Sequence, residues 1–348
     1  MLHLSVPSPE TQKILQLLEA ASALPEGARV QADPNDESRR LIPFTEAIPD
    51  QILSQFPTID VQITPPSPRT YREHLFDTLS EDIVESTEWP TRHEFVGDLI
   101  LIKLDDSQRQ YSSEIGTALL QQHPRVRAVF EDRGVSGTFR VRDLQPMAVR
   151  DGQNPTTRTQ IVEGGHKLWT DPSTVYYSSR LSHEREGTLD CAKKLREELN
   201  RPLSICDPYA GVGPSLMPLI SEPSLVGDLF AGDLNPDAVD FLRENISCSK
   251  ATIECVDARL LKERPQMRER FDLLLVNIPH DSLEHLPSLT PLLRPNALVR
   301  GWAVIEDLEF QTAQSHLRSI LGPQATIEIR RSYSATANLC RFEARNAS

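Results

Sequence analysis

The chain has 348 residues, 39% hydrophobic and 25% charged, with 27 Pro against 15 Gly. That balance is globular and excludes a wholly disordered or fibrous protein, and no run of about 18 apolar residues is present to cross a membrane as a helix. Lys and Arg total 37 against 50 Asp and Glu, a net charge of −13, which taken alone weighs against a partner whose phosphates must be held by cations.

Local surface matters more than the total. Only 7 of the 37 cations are Lys and 30 are Arg, the better residue for bidentate phosphate or base contacts. The five cysteines (Cys191, Cys206, Cys248, Cys255, Cys340) are widely spaced with no CxxC pair. They argue against a disulfide framework and a structural zinc site, and suit a reducing interior. Met1 to Pro9 lacks a basic start followed by an apolar stretch, so no secretory signal is expected and the cytoplasm is the expected location. No metal site is expected.

In chain order, Thr11 to Ala21 reads as a helix with Ile14, Leu15, Leu17 and Leu18 as its apolar positions. Pro25 to Arg40 is polar and poor in aromatics and reads as loop or partly disordered. Thr64-Pro-Pro-Ser-Pro-Arg-Thr70 reads as a hinge or extended linker. Glu94 to Lys103 is a strand candidate, Ser112 to His123 a helix, and Arg125 to Phe130 and Gly137 to Arg142 alternate as strands do. These elements suggest a small α+β domain over 86–165, preceded by a partly helical region with loop and linker over 1–85.

From about Gly187 strands and helices alternate. Leu203–Asp207, the end of Ser224–Asp233, Thr252–Asp257, Phe271–Asn277 and Ala297–Glu306 are strands, and Pro236–Asn245 is a helix. Short apolar strands separated by helices indicate an α/β domain over 166–348, with a mixed, mainly parallel doubly wound sheet.

Four motifs fall at predicted strand ends. Asp207-Pro-Tyr-Ala-Gly-Val-Gly-Pro214 follows an apolar strand, and Gly211 and Gly213 allow a sharp turn and close approach of a ligand. Asp233, 26 residues after Asp207, stands where an acid accepts hydrogen bonds from ribose hydroxyls; alternatively it serves only the helix that Asn235 caps. Asp257 ends the next strand and is suited to an adenine amino group, or is a surface turn residue. Asn277 and Pro279 end the buried strand Leu273-Leu-Leu-Val-Asn-Ile-Pro-His280. Ligands of open parallel sheets bind at this edge. A dinucleotide site wants G-x-G-x-x-G, but here Pro214 removes an amide donor and Leu216 takes the third position. A ligand without phosphate, such as S-adenosylmethionine, fits better, and hydride transfer is disfavoured.

In this order, DPYAGVGP, GDLNPDAVDFLRENI, CVDAR and VNIPH resemble a class I S-adenosylmethionine-dependent methyltransferase. More narrowly, the sequence is similar to the archaeal and eukaryotic tRNA (guanine-37-N1)-methyltransferases and their wybutosine-pathway relatives. Val175-Tyr-Tyr-Ser-Ser-Arg-Leu-Ser-His-Glu-Arg185 is similar to the family's YFSPRL..ER stretch. Phe95–Ile100, Gly137–Arg142 and Arg331-Ser-Tyr-Ser334 extend the likeness, so that it covers roughly 90–348.

The resemblance implies a Rossmann-like fold and methyl transfer from S-adenosylmethionine to N1 of guanosine 37 in tRNA. It implies donor contacts from Arg180, Asp207, Tyr209, Ala210, Gly211, Val212, Gly213, Asp233, Leu234, Asn235, Asp257, Ala258 and Asn277. Glu184 would accept the N1 proton, Arg140 would steady charge on O6, and Asn277 and Pro279 would border the methyl donor and the base. Arg180, four residues before Glu184, would hold Glu184 or a phosphate. Arg142 shares the predicted strand face of Arg140, so which of the two reaches the site stays open here. His280 stands where related amino-methylating enzymes carry a stacking aromatic, which makes Tyr177 a candidate for that stacking. No Cys follows Pro279, which disfavours covalent attack on a pyrimidine.

tRNA, held through its anticodon stem-loop by the small domain and by Arg125, Arg127 and Arg140, is the expected partner of a monomeric protein without membrane contact. The rival readings are an aminocarboxypropyl transferase using the same cofactor, a catalytically silent tRNA binder, and a methyltransferase for a small metabolite or a protein.

Overall fold

The computed structural model describes residues 2–25, 30–33, 36–60, 70–178 and 181–346. It divides into two compact units, Met1–Arg69 and Thr70–Ser348. In the first, β1 (Leu2–Pro7), α1 (Thr11–Ala20), β2 (Gln31–Asp33), β3 (Asp36–Pro43), α2 (Asp50–Leu53) and β4 (Thr58–Asp60) follow one another. The strands form an antiparallel sheet in the order β2-β3-β1-β4. Leu4, Val6, Ile14, Leu18 and Ile42 fill its core.

The helix expected at Thr11 is α1. The polar stretch 25–40, expected as loop, instead supplies β2 and most of β3 among its described residues. Backbone pairing with β1 holds this polar segment, with Arg39 Nε donating to Ser5 Oγ at 2.8 Å. Residues 64–69 of the expected linker lie outside the described residues, and Thr70 forms a capping box with Glu73 at the start of α3 (Tyr71–Leu75).

The second unit opens with α3 and α4 (Glu81–Ser86), then β5 (His93–Val96), β6 (Leu99–Ile102), α5 (Ser112–Gln122), β7 (Ala128–Ser136) and β8 (Val141–Val149). The sheet order is β5-β6-β7-β8. Tyr71, Leu75 and Val84 share a core with Ile100, Ile102, Ile115 and Leu119, so α3 and α4 pack with the small sheet although the small domain is expected to begin only at residue 86. The single strand expected over Glu94–Lys103 is a hairpin, β5 turning into β6 at Gly97-Asp98. Gly137–Arg140, expected as the start of a strand, is a turn, and β8 begins only at Val141.

A two-stranded hairpin, β9 (Thr159–Glu163) and β10 (His166–Thr170), leads into α6 (Ser182–Leu199). The large sheet then runs through β11 (Leu203–Asp207), α7 (Met217–Ser221), β12 (Val226–Asp233), α8 (Pro236–Asn245), β13 (Ala251–Cys255) and β14 (Phe271–Val276). It finishes with α9 (Ser282–Leu289), β15 (Leu293–Glu306), α10 (Phe310–Leu321), β16 (Thr326–Ser332) and β17 (Ala337–Arg345). Its seven strands lie in the order β13-β12-β11-β14-β15-β17-β16, parallel except where β17 pairs with β15 and β16. This is the α/β sheet expected, with apolar cores on both faces. Strand order reverses between β11 and β14, which opens a crevice at their carboxyl ends.

Candidate active site at the carboxyl edge of the large sheet

β11 delivers Asp207 to that crevice. The residue is buried, and burial pushes its carboxyl up to about 7; the Tyr209 amide and Arg185 charge pull it back, while Asp233 adds to the rise. The next turn is tied to β12. Gly211 N–H donates to Asp233 Oδ2 and Asn235 N–H to Asp233 Oδ1, both at 2.9 Å, and Ala210 N–H donates to Gly232 O at 2.8 Å. Burial raises the Asp233 carboxyl as well.

The two glycines do different work. Gly211 has φ +54° and the nearest atom a methyl would meet is Tyr176 O at 4.0 Å, so its open side faces free space. Gly213, at φ +93°, has no room, because a methyl would meet Leu242 Cδ1 at 2.9 Å and Ile246 Cδ1 at 3.2 Å. The missing side chain there lets α8 pack against the turn.

Asn235 Oδ1 caps α8 by accepting from Asp237 N–H at 3.0 Å, and its Nδ2 donates to Thr174 O at 2.8 Å. Asp233 is therefore free of capping duty. Leu234 is exposed beside it, while Ala210, Val212 and Ala258 are buried. Tyr209 Oη lies 2.7 Å from His285 Nδ1, and burial raises its hydroxyl pKa. Asp257 caps a turn by accepting from Arg259 N–H at 3.0 Å and pairs with the Arg259 guanidinium at 2.6 Å, which lowers its carboxyl. A ligand at Asp257 would have to share it with Arg259.

On the target side, Val304 N–H donates to Pro279 O at 2.7 Å and pins the Asn277–His280 loop to β15. The half-buried Asn277 side chain has no hydrogen-bond partner among the described residues. His280 Nε2 lies 3.1 Å from Tyr333 Oη, with the rings edge-on at 5.5 Å between centroids. Burial and then the positive charge of Arg140 lower its pKa.

That charge separates the two candidate arginines. Arg140 lies in the β7–β8 turn at φ +53°, exposed and without an ion pair among the described residues. Arg142 is locked in β8 by Glu94 at 2.9 Å and Asp132 at 3.1 Å. Arg140 is the one whose field reaches the Asn277–His280 loop. Arg127 is likewise structural, bound to Asp98 at 2.9 Å and to the Thr156 carbonyl at 2.8 Å. Arg125 is exposed.

Glu184, in the first turn of α6, is buried among three arginines. Arg330 Nε donates to its Oε1 at 2.6 Å, Arg341 Nη1 to its Oε2 at 3.3 Å, and Arg300 Nη2 stands 3.6 Å from Oε2. Burial alone would raise its carboxyl; the Arg330 hydrogen bond and the three charges outweigh it and hold the pKa below the ordinary range. Arg180, expected beside it, lies outside the described residues. Tyr177, the stacking candidate, is already engaged. Its hydroxyl donates to Glu163 Oε2 at 2.6 Å and its ring lies under Arg185, which binds the same carboxylate. Arg185 and the three arginines around Glu184 are absent from the expected site. The Arg331-Ser-Tyr-Ser334 motif lies beside Arg330 and contains Tyr333, so part of the signal was present in the chain.

The residues of this edge suit S-adenosylmethionine. Gly211 offers open space, Asp233 keeps free lone pairs on both oxygens, and the Asn277 amide is unengaged among the described residues. No metal-binding cluster of His, Cys, Asp or Glu occurs among the described residues, and no helix there is long and apolar enough to cross a membrane.

The strand order and the loop after β11 define a class I methyltransferase. Residues 159–329 match the TRM5/TYW2 methyltransferase domain and residues 71–152 the TYW2 N-terminal domain; the chain belongs to the TRM5/TYW2 family. It is similar to the tRNA (guanine(37)-N(1))-methyltransferase Trm5b of Pyrococcus abyssi, 31% identical over 200 residues that cover 56% of each chain. The match thus spans little more than half of that relative. The crystal structure of Trm5b from Pyrococcus abyssi superposes over 100% of both chains with a TM-score of 0.67 and 21% identity. An aTrm5 structure in complex with tRNALeu does so over 99% of both with a TM-score of 0.70 and 21% identity. At that identity the likeness shows the fold alone.

Proposed function

We propose that the protein methylates N1 of guanosine 37 in tRNA with S-adenosylmethionine as donor, as a monomer in the cytoplasm. The observation that carries this reading is Arg140. Exposed in the β7–β8 turn and without an ion pair among the described residues, its guanidinium lends positive charge to the environment of His280, where a methyl acceptor must lie if the donor rests on the Gly211–Asp233 turn. The names of the curated relatives and the tRNA complex of a structural neighbour support the same substrate. The five free cysteines suit a reducing compartment.

Bound S-adenosylmethionine supplies an electrophilic methyl group. The chain's own residues do the rest. Asp233 accepts from the ribose hydroxyls, and Asp257, alongside Arg259, from the adenine amino group. Asp207 and Tyr209 hold the turn, and Asn277 directs its free amide to the acceptor. Neutral guanine carries a proton on N1, and as that proton leaves, negative charge grows on O6. Arg140 stabilises that charge. Glu184 is ionised at neutral pH and receives the proton, which requires Arg330 to yield one of its hydrogen bonds. The helices and sheet of residues 70–152 present the RNA, whose target base is read from an exposed loop.

The test is to incubate the protein with labelled donor and unmodified tRNA bearing G37, then identify the nucleosides by mass spectrometry. 1-Methylguanosine is the expected product. An aminocarboxypropyl adduct, or tight tRNA binding with no product, would replace this reading with one of its rivals.

A further inference from the structure

Glu184 is held from three strands, and the three arginines that hold it are not equivalent. Arg300 lies on β15 with 1% of its side chain exposed, and its Nε donates to Thr188 Oγ1 at 3.0 Å. Arg341 lies on β17 with 18% exposed. Both have carboxylate partners besides Glu184, because Glu343 pairs with each and Arg341 Nη2 also donates to Glu328. Arg330 lies on β16, an edge strand of the large sheet, with 39% exposed. Its one side-chain hydrogen bond among the described residues is the 2.6 Å contact from Nε to Glu184 Oε1. Glu328 stands 3.6 Å from it and is engaged by Arg341.

A β-bulge sets this contact up. Ile329 opposes Cys340 and Arg331 opposes Leu339, so Arg330 is the extra residue of β16. Bulges re-aim a side chain, here toward Glu184. Arg331 beside it is exposed and without a side-chain partner among the described residues. The edge strand thus carries two adjacent exposed guanidiniums, one unpaired and one hydrogen-bonded only to Glu184.

The same stretch touches the Asn277–His280 loop. Tyr333, which closes β16, has its Oη 3.1 Å from His280 Nε2. Leu181, at the start of α6, packs with Trp302 and Leu339. Gly301 pairs with Val276, which sets Trp302 level with Asn277. Contacts therefore join Glu184, Arg330 and the loop at one end of the sheet.

An incoming N–H must displace a donor from Glu184. Arg341 and Arg300 are less exposed and tied to further carboxylates; Arg330 is accessible and has no second hydrogen bond to keep it. The matching exchange partner is a phosphate diester, the anion every RNA substrate carries, which a guanidinium binds through parallel N–H donors.

We propose that Arg330 is a positioning residue that couples RNA binding to the release of Glu184. A backbone phosphate beside the target nucleotide takes its guanidinium, with Arg331 as the second cation, and Nε leaves Glu184 Oε1. The lone pair so freed accepts the N1 proton, while the Arg330 charge, still beside Glu184, keeps the carboxylate ionised until the base arrives. This rests on the tRNA reading above and adds to it the group that opens the site.

The experiment reads the coupling between one side chain and one phosphate. G37 tRNA is prepared with a single neutral methylphosphonate linkage at each position of the anticodon loop in turn. Single-turnover methylation is measured for wild type, Arg330→Gln, Arg330→Lys and Arg331→Gln, with melting temperature and donor affinity as checks on folding. At a linkage next to G37 the wild-type rate is expected to fall about tenfold or more, and the same linkage to change the Arg330→Gln rate by less than about 2-fold. Arg330→Lys, which keeps the charge, is expected to stay sensitive there. Arg331→Gln, which breaks no ion pair, is expected to lose about 3-fold or more of that sensitivity. Binding of unmodified tRNA to Arg330→Gln is expected to have a log–log salt slope shallower by about 0.7, the share of one phosphate on a single strand. Wild type indifferent to every neutral linkage, a linkage that slows wild type and both Gln variants equally, or an unchanged salt slope overturns the latch while the tRNA reading stands. A wild-type protein that leaves G37 unmethylated overturns both.

Discussion

Asp207→Asn isolates the electrostatic cost of the β11 turn. The Asp207 carboxyl rises from its ordinary 3.8 to about 7 because it is fully enclosed. For an acid with a raised folded-state pKa, the stabilising form is the protonated one. Its contribution is complete below about pH 4 and is lost as pH climbs through about 7. That net rise, in which the Tyr209 amide and the Arg185 charge already offset part of the burial, corresponds to at most about 4 kcal/mol. Asparagine mimics the protonated acid at every pH and keeps an acceptor for the Tyr209 amide. Thermal unfolding of both proteins from pH 5 to pH 9 is therefore expected to show the variant gaining on wild type, reaching several degrees by pH 8. At about 2–4 °C per kcal/mol for a domain of this size, the rise is measurable. A melting-temperature difference that stays flat across this range would refute the claim that Asp207 is a buried carboxyl held against ionisation.

Gly213→Ala is expected to destabilise the protein by about 1–3 kcal/mol, because its methyl would strike Leu242. Gly211→Ala, facing open space, is expected to melt within a few degrees of wild type and lose donor affinity about tenfold or more by calorimetry. Glu184→Gln is expected to cut turnover about 10²-fold or more with donor affinity nearly unchanged. Arg330→Gln, which removes a positive neighbour, is expected to raise the Glu184 pKa and move the acid limb of kcat to higher pH; a limb that stays in place removes Glu184 from proton transfer. Arg140→Ala is expected to lower kcat about 10²-fold or more at unchanged melting temperature, whereas Arg142→Ala is expected to lower the melting temperature first.

Local pattern makes the glycine-turn half of the candidate site legible. Leu203–Asp207 and Pro236–Asn245 fall where β11 and α8 fall, because a short apolar run and an Asn-Pro start are signals carried within a few residues. The glycine turn and Asp233 follow from the same rules, and the amide bonds to Asp233 show what the turn does with its acid. The half around Glu184 and Arg140 depends on long-range geometry. Gly137-Thr-Phe-Arg-Val-Arg142 alternates like a strand, but the backbone of Arg140 turns left-handed, and it is Arg142 that takes the ion pairs. Glu184 meets Arg330 and Arg341, 146 and 157 residues away, a neighbourhood no spacing within α6 reveals. Tyr177 looks available for stacking until the fold sets Glu163 and Arg185 against it. The polar strand β3 is ordered by its partner β1 rather than by any apolar periodicity of its own.

Calorimetric titration with S-adenosylmethionine, wild type beside Asp233→Ala, tests most directly whether the turn after β11 is a donor cradle. Saturable one-to-one uptake by wild type is predicted, weakened about tenfold or more in the variant, which loses both the ribose acceptor and the bonds to Gly211 and Asn235. Wild-type protein that takes up neither the donor nor its demethylated product, or a variant that binds as tightly as wild type, would contradict the account.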